Sequence, residues 1–333
     1  MPINHHSHSG QFCQHAKGSL EEVVVEAIRQ RFDVYGLTEH VPRYRTEDLY
    51  PEEAIKDRCP MVPDSQTPQA QLTPATLVTQ FDSFLVEAHR LKQLYAPQIR
   101  LLVGLETDYI TALDLDQLQG LLERHRGRVD YLVGSVHHVN RIPIDFDLDT
   151  YQRAVESMEN THSFLSAYFD AQYELLQRFH AEIIGHLDLC RLYTPDLAFS
   201  AYPESWQKAE RNILFAISYG ALFEINASAL RKGWSTPYPA EDVLQMILKN
   251  GGRLTLSDDS HGPHAVGLNY ASIPEYLCRN GVSELWFLEQ SEVPNAAGRH
   301  VRAQKLDRGW EEHPFWASLQ RNCEGLASSS SHY

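Results

Sequence analysis

The chain has 333 residues, 43% hydrophobic and 22% charged, the profile of a folded protein large enough for one α/β barrel or two medium domains. A formal net charge of −15 argues against a protein that tracks nucleic acid by counterion release, but it leaves room for a small anionic substrate, because a metal cluster can reverse the local sign. No apolar run approaches the ~20 residues that span a bilayer, the N-terminal residues have no basic segment leading an apolar one, and five dispersed cysteines (Cys13, Cys59, Cys190, Cys278, Cys323) lack zinc-finger or redox spacing, so a cytoplasmic chain with reduced thiols is expected.

In chain order, Ile3-Asn4-His5-His6-Ser7-His8 can end a short first strand. Ser19-Leu20-Glu21-Glu22 resembles a capping box, and the apolar positions through Phe32 predict a helix. Val34 to Thr38 reads as a buried strand that delivers Glu39 and His40. The pattern then disappears from Val41 to Pro74, a span holding six prolines (42, 51, 60, 63, 68 and 74); an insertion this long, leaving directly from His40, is expected to be a lid or a flexible segment.

Beyond it the spacing predicts a helix over 75–97, a strand from Ile99 that ends at Glu106, a helix over about 114–126, and a strand Val129–Val136 followed by His137 and His138. A helical tract with a break covers Thr150–Phe179, and Glu182 to Gly185 runs straight into His186. A helix over 204–219, a strand Ala221–Asn226 and a helix over 240–249 lead to the strand Leu254-Thr255-Leu256, which is followed by Asp258-Asp259-Ser260-His261. A helix over 271–279 and a last strand Glu284–Leu288 complete the pattern, and residues 321–333, with their serine run, are expected as a disordered tail. Strand alternating with helix argues for a parallel sheet in a single barrel domain over residues 1–320, and no Gly-rich phosphate fingerprint favours a doubly wound sheet.

Metal-capable side chains recur at the C-terminal ends of these strands, which converge on one face of a barrel. They are His6, His8, His40, Glu106, His137, His186, Asp259 and His261, with His15 just past the first strand. Most histidines bind nothing, and His89, His125, His162, His180, His300, His313 and His332 fall on helix faces and loops as chance would place them. The nine strand-end donors are too many for one tetrahedral ion and, with one carboxylate bridging, suit three. Adjacent divalent ions are the equipment of phosphate-ester hydrolysis: a shared water ionises near neutral pH and phosphoryl oxygens are neutralised.

The series His6-x-His8, His15, Thr38-Glu39-His40, Gly104-x-Glu106, Gly134-Ser135-Val136-His137, Gly185-His186 and Asp259-x-His261 resembles the PHP (polymerase and histidinol phosphatase) superfamily, and from about residue 5 to 320 the chain is similar to the fungal form of its histidinol-phosphatases. Supporting stretches are Ile142-Pro143-Ile144-Asp145-Phe146-Asp147 and Glu224-Ile225-Asn226-Ala227-Ser228-Ala229-Leu230-Arg231-Lys232. The resemblance implies a distorted (β/α)7 barrel, three divalent ions (zinc, manganese or iron), and hydrolysis of L-histidinol phosphate in histidine biosynthesis. It further implies that His6, His8, Glu106 and Asp259 hold one ion, Glu106, His137 and His186 the second, and His15, His40 and His261 the third, with Glu106 and Asp259 at the catalytic centre.

Arg231 and Arg191 are candidates for the substrate phosphate, since guanidinium matches phosphate oxygens in pairs. Asp145, Asp147, Glu224 and Asn226 are candidate acceptors for the ammonium and imidazole of histidinol. His264, Asp258 or the water at the metals is a candidate proton donor to the leaving alkoxide. Another metal hydrolase on a similar barrel would bridge its ions with a modified lysine, but none of the seven lysines ends a strand before a metal motif. The alternatives that keep the fold are a phosphoesterase for a different small phosphomonoester and a scaffold that has lost catalysis; the latter predicts eroded ligands, and all nine are present.

Overall fold

The computed structural model describes residues 2–54, 72–307 and 309–316. Seven parallel strands, β1 (Ile3–Asn4), β2 (Val34–His40), β3 (Arg100–Glu106), β4 (Tyr131–Gly134), β5 (Ile183–Ile184), β6 (Leu222–Asn226) and β7 (Arg253–Ser257), lie side by side in sequence order. The edge strands β1 and β7 then meet. Asn4 Oδ1 accepts the Asp258 N–H at 2.8 Å, and just beyond them Ser7–His8 pairs in parallel with Ser260–His261. The result is a nearly closed barrel of parallel strands with helices outside, as the sequence pattern predicts, and its strands number seven, as the family resemblance implies.

The helices are α1 (Leu20–Arg29), α2 (Pro74–Leu94), α3 (Ala112–Arg124), α4 (Leu148–Ser157), α5 (Thr161–Phe179), α6 (Pro203–Ser218), α7 (Glu241–Lys249) and α8 (Ile273–Arg279). The predicted capping box at α1 is formed: Ser19 N–H donates to Glu22 Oε2 at 2.6 Å and Glu22 N–H to Ser19 Oγ at 3.2 Å. Leu20, Val23, Val24 and Ala27 of α1 are fully buried, and each of the larger three contributes about 1.5–3 kcal/mol by leaving water. The expected break in the 150–179 tract falls between α4 and α5, where Glu159 has φ +69° and Asn160 Oδ1 caps the new helix by accepting Ser163 N–H at 2.9 Å.

Two expectations change. The last predicted strand is not an eighth barrel strand: β8 (Trp286–Gln290) pairs antiparallel with β9 (Val301–Lys305), and this hairpin leans on the outside of the sheet. Its anchor is polar. Leu288 N–H donates to His5 Nε2 at 3.0 Å, which leaves the His5 proton on Nδ1, 3.1 Å from Thr255 Oγ1. The Pro-rich insertion is described only in part: Thr46–Asp48 and Pro51–Ala54 are short helical turns beside the site, and residues 55–71 of the proposed lid lie outside the described residues, as does the expected tail.

Glycine at 36 is dictated by a close approach. A Cβ there would lie 1.9 Å from the Tyr131 hydroxyl, whose O–H spans the barrel to donate to His5 O at 2.8 Å.

Burial pushes the His5 imidazole down to about 3, against the pull of Glu224. An unfolded histidine titrates near 6.5, so neutral His5 contributes stability in full above that pH and loses it as pH falls from about 6.5 toward 3. We expect stability to fall more steeply in wild type than in His5→Gln over that window, by up to ~1.4 kcal/mol per pH unit. Parallel urea titrations at pH 7 and pH 5 test this, and equal slopes for the two proteins would remove His5 as the cause.

Candidate metal centre

Parallel register aligns the donors. His40, the last residue of β2, stands opposite Glu106, the last of β3, and Glu106 stands opposite Val133 of β4, a short step before His137. Glu106 is 1% exposed and collects five imidazoles. Its Oε1 lies 3.2 Å from His6 Nε2, 3.1 Å from His137 Nε2 and 3.0 Å from His186 Nε2. Its Oε2 lies 3.3 Å from His8 Nε2 and 2.9 Å from His40 Nδ1. Asp259 adds Oδ1 at 3.7 Å from His6 Nε2 and 3.6 Å from His8 Nε2. Asp259 takes a left-handed backbone conformation (φ +46°), and Gly262 has φ +122° with no room for a Cβ against Lys17 O at 2.3 Å. This sharp turn brings Asp259 and His261 into the same site.

The donors fit a divalent cation. His137 Nε2 and His186 Nε2 face each other at 3.3 Å, about the edge of a tetrahedron with 2.0–2.1 Å metal–nitrogen bonds. His6 Nε2, His8 Nδ1, His8 Nε2 and His40 Nε2 are buried with no hydrogen-bond partner among the described residues, an arrangement that costs about 1–3 kcal/mol per group unless something else satisfies it. Four donor groups are compact enough to hold an ion: His6, His8 and Glu106; Glu106, His137 and His186; His8, Asp259 and His261; and a set including His15, His40 and His261.

The electrostatics agree. Burial raises the Glu106 carboxyl, but the charges of His6, His137 and His40 overcome it and hold Glu106 well below the usual carboxylate range. Burial likewise opposes charge on His8, yet the Glu106 and Glu39 carboxylates beside its two ring nitrogens push it up to about 9. His40 and His261 go the other way, lowered by burial and then by the neighbouring His8 charge. Crowded imidazoles thus share positive charge around Glu106 and Asp259, a charge that divalent ions can supply in place of protons.

Behind the donors stands a layer that sequence reasoning placed wrongly or missed. Glu224 does not face the cleft: it is 1% exposed, with Oε2 3.1 Å from His6 Nδ1 and Oε1 accepting His186 N–H at 2.7 Å. Asn226 is fully buried and donates from Nδ2 to Glu224 Oε1 at 2.7 Å. Both therefore stand behind His6 and His186 and not in the cleft. The missed members are Asp108, which accepts His137 N–H at 2.8 Å and meets His138 Nδ1 at 2.6 Å, and Glu39, which accepts Ser9 N–H at 2.9 Å beside His8. Their signal was position: each sits one or two residues from a donor on the same strand end. Glu224→Gln is expected to weaken metal retention and kcat about 10–100-fold. A rise in KM alone, with metal content unchanged, would return Glu224 to substrate recognition.

Seven of the nine donors, all but His6 and His8, line a cleft of about 510 Å³. Lys17, Arg231, Lys232 and His264 supply cationic or titratable groups to its wall, with Arg231 Nη1 and Nη2 donating to Asp259 O at 3.4 and 3.3 Å. Tyr50, Glu52, Asp145 and Phe146 also line it, and Asp145 Oδ1 is buried without a hydrogen-bond partner among the described residues. A larger groove of about 1060 Å³ holds none of the nine donors.

Three candidates are corrected. Arg191 is 2% exposed and does not line the cleft: its terminal nitrogens are taken by Asp188 at 2.6 Å, Asp242 at 2.9 Å and Leu197 O at 3.1 Å. Asp147 caps α4, accepting Thr150 N–H at 2.7 Å. Asp258 is 1% exposed and accepts from Ser260 N–H, Gly267 N–H and the Tyr35 hydroxyl, so it holds the turn and offers no proton to a substrate.

A parallel α/β barrel that gathers imidazoles and carboxylates at one mouth has the donor set of a metal-binding protein. Comparison gives the family: the chain belongs to the PHP domain family, whose model matches residues 4–228. It is 45% identical over 316 residues to a Schizosaccharomyces pombe protein named "Probable histidinol-phosphatase", covering 94% of this chain and 97% of that one. It is 32% identical to the histidinol-phosphatase of Saccharomyces cerevisiae, covering 95% and 99%. The crystal structure of a Lactococcus lactis histidinol phosphate phosphatase complexed with zinc, L-histidinol and phosphate shares the fold, with a TM-score of 0.57, 18% identity, and coverage of 90% of this chain and 98% of that one.

Proposed function

We propose that this chain is a histidinol-phosphatase: it hydrolyses L-histidinol phosphate to L-histidinol and phosphate, in the cytoplasm, with three divalent ions. The observation that carries the reading is the composition of the cleft, which sets seven of the nine metal donors and Arg231 beside Asp145 and the rings of Tyr50 and Phe146. The near full-length identity to fungal histidinol-phosphatases supports it. His6, His8, Glu106 and Asp259 would hold one ion, Glu106, His137 and His186 a second, and His15, His40 and His261 a third. When bound, such ions lower the pKa of water toward neutrality and neutralise phosphoryl oxygens, whichever of zinc, manganese or iron is native.

The chain's own residues then do the rest. Arg231, with its backbone tether at Asp259, presents a guanidinium to the phosphate and keeps it in line with Glu106. Asp145, whose Oδ1 has no partner among the described residues, accepts from the substrate ammonium, and Tyr50 and Phe146 flank the imidazole. His264 at the cleft wall is the side chain available to protonate the leaving alkoxide, since Asp258 is spent inside the turn. The described helices include none long and apolar enough to cross a membrane, and Cys13, Cys190 and Cys278 are free thiols, which suits a reducing compartment.

The test is selectivity. Against a phosphomonoester of similar size without the ammonium and imidazole, kcat/KM for L-histidinol phosphate should be higher by about 10²-fold, the worth of two charge-assisted contacts. Equal values for the two substrates would make the chain a general phosphoesterase.

A further inference from the structure

Cys13 is a metal-capable side chain outside the nine. The loop 9–17 folds tightly: Cys13 N–H donates to Ser9 O at 2.9 Å, Ala16 N–H to Cys13 O at 3.2 Å, and Lys17 N–H crosses to His261 O at 3.0 Å. This places Cys13 Sγ 3.3 Å from His15 Nε2. One ligand atom from each of Cys13, His15, His40 and His261 lies within 4.8 Å of the other three. A tetrahedral ion with bonds of about 2.0–2.1 Å to nitrogen and 2.3 Å to sulfur needs donor–donor edges of about 3.3–3.6 Å, so a small inward movement completes the shell. The rings are oriented for it: His15 and His261 stack at 4.9 Å, and His40 Nε2 is buried and unpartnered among the described residues while its Nδ1 faces Glu106. Cys13 itself is 5% exposed, which removes it from solvent chemistry and points it inward.

We propose that Cys13 is a thiolate ligand of the ion held by His15, His40 and His261, making that site Cys/His3; the proposal rests on the three-ion reading above. On binding, the S–H bond breaks, the proton leaves to water, the sulfur lone pair forms the metal–sulfur bond, and no electrons are transferred. Two consequences follow. Four protein donors would fill a tetrahedral shell, so this ion would tie the loop 9–17 to the ends of β2 and β7. A thiolate also biases the site toward zinc over manganese.

The experiment loads the full chain with cobalt(II), counts ions per chain by mass spectrometry and records the near-ultraviolet spectrum. A thiolate-to-cobalt charge-transfer band is expected in wild type and absent in Cys13→Ser, with the variant's fold checked by circular dichroism. One ion per chain in the variant should pass to a competing chelator at least roughly ten-fold more readily. Zinc-loaded wild type, which needs no variant, should show a sulfur neighbour at about 2.3 Å by X-ray absorption. Full cobalt loading with no such band, or a band that survives Cys13→Ser, overturns the Cys13 assignment and leaves the metal centre standing. Retention of fewer than two ions by wild type overturns both.

Discussion

Replacing Glu106 by glutamine is expected to lower kcat on L-histidinol phosphate by about 10³-fold or more, equivalent to ~4 kcal/mol of barrier. The carboxylate stands between His6, His8, His40, His137 and His186, each within 3.3 Å of one of its oxygens. An amide has nearly the same shape, but it removes the one negative charge those five rings share and turns an acceptor toward them into an N–H donor. Two of the four compact donor groups contain Glu106, so both lose a donor at once. The variant should therefore retain fewer divalent ions per chain. Measuring phosphate release and metal content on the same sample separates the causes. Unchanged metal content with unchanged kcat would mean that Glu106 is a buried structural acid and the centre lies elsewhere.

The parts of the site legible in the sequence are those where one short-range rule decides geometry. Parallel strands in a barrel deliver their last residues to one mouth, so His40, Glu106, His137 and His186 could be placed from the apolar runs before them. The barrel could be read the same way, but its count of seven came from the family resemblance. What failed depended on long-range contacts. Glu224 and Asn226 sit two apart on β6 and so share a face, but only the packing of β6 between β5 and β7 turns that face toward the backs of His6 and His186. Arg191 follows a strand end as Arg231 does, yet the chain coils into a tight turn at Leu189–Arg191, and Asp242, from α7, captures the guanidinium. The last predicted strand carries a normal apolar run, and nothing local reveals that its partner is β9 and its anchor the ring of His5. Asp258 and Asp259 are neighbours of one type with opposite fates, because a left-handed backbone at Asp259 points one carboxylate into the cleft and the other into the turn.

Removal of metal is the second large effect. If the ions supply both the ionised water and the charge that neutralises the phosphoryl oxygens, no side chain in the cleft replaces them, and turnover should fall by at least about 10³-fold. Charge on His8, pushed up to about 9, competes with metal for the same nitrogens, so reloading should improve as pH rises toward that value and weaken below it. The direct measurement is phosphate release from L-histidinol phosphate by the purified full chain, before chelation, after chelation and dialysis, and after return of zinc or manganese. The account predicts turnover, its loss, and its recovery in that order. Turnover that survives complete removal of divalent ions, or none in the loaded protein, would contradict it.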